Sequence, residues 1–153
     1  MYTEIEQQTL DIDWFFTNGK YVSFMASGGG KLPESIAKSK EDNLVLASYF
    51  RNLPEISEII INPDLNNILM KVFGSGIDER YIEDYALMTR KGLYSFDKTH
   101  PNQFTNPNYH IVASPRNPLR LEDLPENIKD ILTRTTYNIS LEEIQSIDIT
   151  QIS

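Results

Sequence analysis

Trp14-Phe-Phe-Thr-Asn-Gly-Lys-Tyr-Val-Ser-Phe-Met-Ala-Ser-Gly-Gly-Gly-Lys-Leu-Pro33 is the stretch that decides how this chain is read. Two apolar runs, Trp14 to Phe16 and Tyr21 to Met25, flank Asn18-Gly19. An Asn-Gly pair reaches positive φ easily, so this pattern predicts a β-hairpin. The hairpin carries the only tryptophan and several of the aromatic residues, which makes it the expected seed of the core. It runs into Ser27, Gly28, Gly29, Gly30 and Lys31, where backbone freedom is concentrated. That loop is the first candidate site.

Outward from the hairpin, the periodicity alternates between helix and strand. Ser39 to Asp42 resembles a capping box, and the helix it opens would bury Leu46, Tyr49, Phe50 and Leu53 before Pro54. Residues 2–10 suit a short helix or a loose lead-in, and Leu32 to Ile36 a brief turn. Ile56, Ile59, Ile60 and Ile61 form a β-branched run short enough for a buried strand. Leu65, Ile68, Leu69, Val72 and Phe73 then follow helical spacing as far as Gly74. Beyond Ser75-Gly76 a second helix is expected from about Asp78 to Lys91, with Ile77, Tyr81, Tyr85 and Met88 inward and Gly92 as its stop. Residues 92–97 and 109–113 read as strands separated by a long polar loop with two prolines and three asparagines. A helix after Pro125, a strand near residues 135–139, a second capping box at Ser140 and a closing segment through Ile147 and Ile152 complete the chain. The expectation is one α+β domain over residues 1–153: a mixed or mainly antiparallel sheet of about five strands with about four helices packed on it.

Composition narrows the function classes. At 153 residues the chain is long enough to bury a core without staples, and with no cysteine it has no disulfide, thiol nucleophile or thiolate metal site. No run approaches the roughly 20 apolar residues of a membrane helix, and the first residues lack the pattern of a secretion leader, so a cytoplasmic location away from membranes is expected. The net charge is −8. Glu4, Glu6, Asp11 and Asp13 lie at one end and Glu142, Glu143 and Asp148 at the other, with no base in either segment. Such ends disfavour nucleic acid and would steer a basic protein partner if they met on one surface.

Catalytic and metal motifs are incomplete. Placing Gly30-Lys31 at the end of a P-loop puts Met25 where the first glycine belongs and Leu32 where Ser or Thr belongs, so the residues favour a connector over a phosphate cradle. His100 and His110 are the only histidines, and no zinc-ligand spacing accompanies them. Either could pair with Asp97 as base and orienter if the fold brings them together. Glu79 and Glu83 share a helical face without a calcium-loop pattern. No serine sits in a nucleophile motif, and neither a metal nor a cofactor is expected.

Two functional readings follow. The first is a non-catalytic protein-binding domain, of inhibitor or immunity type, that occludes a basic partner through Glu4, Glu6, Asp11, Asp13, Glu142 and Glu143. The second is a small-ligand-binding protein or enzyme with a pocket between Ser27–Lys31 and the loop from His100 to His110, where Arg116 and Arg120 would recognise an anion. A structural subunit of an assembly is a third.

Overall fold

Asp13–Thr17 (β1) and Val22–Ala26 (β2) pair antiparallel with Thr17 opposite Val22, so the predicted hairpin forms around a four-residue connection. The turn is not the two-residue form that Asn-Gly favours, because only Gly19 takes positive φ (93°). Asn18 acts through its side chain instead. Its Oδ1 accepts the amides of Lys20 and Tyr21 at 3.0 and 2.8 Å, an Asx-type turn.

The computed structural model describes residues 1–74 and 79–152. Around the hairpin lie Ile59–Ile61 (β3), Tyr94–Lys98 (β4), Asn108–Pro115 (β5) and Ser146–Asp148 (β6). The sheet runs β1-β2-β4-β5-β3, with β6 also on β5, and β2 and β4 are its one parallel pair. The helices are Glu4–Thr9 (α1), Glu34–Ala37 (α2), Lys40–Arg51 (α3), Leu65–Phe73 (α4), Glu79–Arg90 (α5) and Glu126–Leu132 (α6). The α+β architecture with a mixed sheet is as the periodicity implied.

Strand alternation sorts the core into two layers. Phe15, Val22, Phe24 and Val112 face α3 to α6 and pack with Leu46, Phe50, Leu65, Met88 and Ile128. Trp14, Phe16, Met25, Tyr94, Phe96, Tyr109 and Ile111 face the other way, under Tyr2, Leu32, Ile36, Leu141 and Ile152. The second layer has little regular structure, and α1, α2 and the last residues of the chain close it.

Several local expectations are corrected. The isoleucine run is an edge strand, not a buried one: β3 and β6 lie end to end along the outer side of β5, and Ile60 is 47% exposed. Ser39 precedes α3, but its hydroxyl donates to Asp42 at 2.8 Å and caps no amide. The capping box that does form is Thr3 with Glu6 at α1. No helix follows Ser140, whose hydroxyl donates to Glu142. Residues 135–139 contribute a single bridge, Thr136 to Thr17, where they cover the free edge of β1. The closing segment is β6 followed by one 3₁₀ turn at Ile149–Gln151. The break at Ser75-Gly76, Ile77 and the first residue of the helix expected from Asp78 lie outside the described residues.

Candidate functional site

Because β2 and β4 are parallel, they end side by side, with Ala26 opposite Asp97. The loops that leave them, residues 27–31 and 99–107, therefore meet. The Lys31 amide donates to the Phe104 carbonyl at 3.0 Å, and Ser27 is tied to residues 10–12 through its own amide and hydroxyl. Beside this junction lies a half-open groove of about 480 Å³. One wall is residues 31–34 and Ala37, the other is residues 104–107, and Ile149, Thr150 and Ile152 close the end. Gln7 forms part of its floor.

The groove's polar floor is already bonded. Gln7 donates to the Tyr2 carbonyl and accepts the Leu32 amide at 2.9 Å. Asn106 donates to Gln103, accepts the Asn108 amide and, through its carbonyl, accepts Lys98. What remains to contact an occupant is mainly Leu32, Ala37, Phe104, Ile149 and Ile152. Lys31 and Glu34 are exposed on the rim.

The glycines of residues 27–31 serve contact and curvature. Gly30 lies against the buried side chain of Lys98: a Cβ there would stand 2.8–2.9 Å from its Cδ, Cε and Nζ. Gly29 combines φ +73° with a Cβ direction 2.8 Å from the Gln8 carbonyl oxygen. The loop is a cover over Lys98.

On the opposite sheet face, the same end of β4 carries a chain of polar side chains. Tyr81 of α5 donates to Asp97 Oδ2 at 2.7 Å, and its oxygen lies 3.2 Å from His110 Nε2. His110 Nδ1 is 3.0 Å from the Thr99 hydroxyl. Since the phenol's one proton goes to the carboxylate, Nε2–H must donate to Tyr81 and Nδ1 must accept from Thr99, which makes His110 the neutral Nε2–H tautomer. Burial drives the imidazole down to about pKa 4, helped by the charge of His100. Burial likewise pushes the Asp97 carboxyl up to about 6, against the hydrogen bonds from Tyr81 and Tyr85. The Tyr81 and Tyr85 phenols are raised far above their ordinary range, first by burial and then by the charge of Asp97.

The two loops expected to frame a pocket are thus brought together, but the charged residues expected with them are distributed elsewhere. His100 sits half-buried at a small hollow with Val72 and Pro101, and His110 lies under α5. Arg116 and Arg120 are exposed at the far end of the sheet, ~20 Å away by strand length, and pair with Glu58 and Glu122. Strand direction separates them from the glycine loop, because β5 carries the chain away from it before Arg116. Among the acids, Glu6 is paired with Lys40 and Asp13 with Arg51, while Glu4, Asp11, Glu142 and Glu143 are exposed and make no ion pair among the described residues. Asp11 accepts the Gly28 amide at 2.9 Å, and Glu142 acts on Tyr94 at the opposite end of β4.

Lys98 is the site residue that sequence reasoning missed. Its signal was available: Tyr94, Phe96 and Lys98 share one side of a strand, so a lysine occupies a position where the alternation calls for an apolar residue. The chain matches no family model, no curated protein and no solved structure. Among the described residues no helix is long and apolar enough to cross a membrane.

Proposed function

We propose that the protein acts by binding, and that the groove between residues 31–34 and 104–107 holds its ligand. The observation that carries this reading is the groove itself, whose volume of about 480 Å³ falls among those of small-molecule pockets. Its internally bonded polar floor supplies shape, and its apolar wall supplies contact area for a ligand's hydrocarbon body. Replacing Ala37 with tryptophan would fill it. Native mass spectrometry of the protein recovered from its source cells should show an added small-molecule mass on the wild type and none on Ala37→Trp. Identical spectra for the two would overturn the reading.

A second reading, occlusion of a basic protein, draws on Glu4, Asp11, Glu142 and Glu143, which are exposed and make no ion pair among the described residues, although Asp11 and Glu142 stand toward opposite ends of β4. Rim charges of this kind act mainly on association rate. Neutralising all four should slow capture of a basic partner and flatten its salt dependence. Unchanged association would refute this reading.

A further inference from the structure

Lys98 is 1% exposed. Its stem runs beneath Gly28 and Gly30, its ammonium donates to the Asn106 carbonyl, and the Tyr109 ring lies 5.9 Å from Nζ. The ammonium has three protons, and that carbonyl is their one acceptor among the described residues. No carboxylate there is within ion-pair distance of it, and its neighbour Asp97 projects from the other face of the strand. A buried ammonium without a counter-charge is costly. Burial accordingly pulls the Lys98 amine below its ordinary value.

The enclosure of this cation adjoins the groove, whose lining does not include Lys98 itself. Gly30, on which a Cβ would stand 2.9 Å from Nζ, leads into Lys31 of one wall; Asn106, whose carbonyl accepts from Nζ, belongs to the opposite wall. Lys31 adds a second cation at the rim. Glu34 also stands on the rim, and Asp148, held by Thr150, sits behind the closed end. These acids disfavour a multiply charged ligand and leave room for one negative charge set deep.

We propose that the groove is a carboxylate site, in which an acid on an apolar body lies between the two loops and Lys98 is its counter-ion, with Lys31 assisting at the rim. This rests on the binding reading of the groove and names the ligand class. Entry requires the Gly30 and Asn106 backbones to part enough for the ammonium to reach the ligand. The same chemistry can come from a free organic acid or from the C-terminal carboxylate of another chain.

The test is calorimetry on the full chain with octanoate, 1-octanol and a leucine-ended hexapeptide carrying a free or amidated C-terminus. Octanoate should bind the wild type at least about tenfold more tightly than octanol, as a charge-assisted hydrogen bond implies. Lys98→Met should abolish that preference, and Lys31→Gln should reduce it only a few-fold. Lys98→Met should melt no lower than the wild type, since a thioether of similar length replaces an uncompensated charge. As an independent measurement on the wild type, octanoate and not octanol should raise the pH at which the Lys98 ammonium titrates by nuclear magnetic resonance. Equal affinities for acid and alcohol, a preference that survives Lys98→Met, or no binding of either probe would overturn the inference. If both probes bind alike and Ala37→Trp removes both, only the charge inference falls; if octanoate binding survives Ala37→Trp, the groove reading falls. Tighter binding of the free-ended than of the amidated peptide, and tighter than octanoate, would assign the acid to a partner chain, and the reverse order to a small molecule.

Discussion

Asp97 and His110 predict a pH dependence in which two slopes cancel. The folded state holds Asp97 at about 6 against an ordinary 3.8, so between those values the folded form binds more protons than the unfolded chain. Stability therefore falls as pH rises through that window, by about 3 kcal/mol for a shift of some two units. His110 has the opposite sign. Held at about 4 against 6.5, it leaves the unfolded chain with more protons between those values, so stability rises with pH there. The gain is also about 3 kcal/mol. In the wild type the two contributions offset each other from pH 4 to 6. Asp97→Asn keeps an acceptor for Tyr81 but removes the carboxyl, exposing the histidine slope. Relative to the wild type, the variant should lose about 3 kcal/mol on acidification from pH 6.5 to 4. Urea unfolding of both proteins at half-unit pH steps measures this, and contributions from other carboxylates cancel in the difference. A wild-type-minus-variant difference constant to within about 1 kcal/mol across the range would refute the argument that burial raises Asp97.

Two other perturbations test packing and buried charge. Gly92→Ala places a Cβ 2.6 Å from the Leu119 amide nitrogen at φ +97° and should cost above about 3 kcal/mol, whereas Gly19→Ala, at φ +93° with nothing within 4 Å, should cost about 1 kcal/mol; equal losses in thermal unfolding would show that close approach adds nothing. Arg51 binds Asp13 through Nε at 2.8 Å and Asp84 through both terminal nitrogens at 2.9 and 3.1 Å. Arg51→Met should cost about 2 kcal/mol at pH 7, because burial already raises the Asp13 carboxyl and its counter-charge is gone. The loss should shrink as acid protonates Asp13, and a loss of the same size at pH 4 and 7 would point to packing of the arginine stem instead.

The helices α4 and α5, the aromatic strands and the long polar loop were legible because each is encoded locally, by a period of two or 3.6 or by proline and glycine. The errors arose where a neighbour outbid the local signal. Ser39 looked like a cap, yet its hydroxyl bonds Asp42, which also binds Arg134 in the turn that follows α6. Ser140 carries the same residue pattern and opens no helix, because residues 137–141 are held against β1 and the second core layer. The pairing of Asp97 with His110 was foreseeable only as a conditional, since Tyr81, the residue that joins them, comes from α5.

The sequence alone determined the α+β character, the hairpin, and the separate presence of a glycine-rich loop and a long polar loop, because these follow from side-chain pattern and backbone preference. The parallel pairing of β2 with β4 was decided by tertiary structure. It brings residues 27–31 against residues 99–107, sends Arg116 and Arg120 to the far end, and folds a lysine into the enclosure beside the groove. Strand order depends on how distant surfaces bury one another, and no periodicity within a single segment records it.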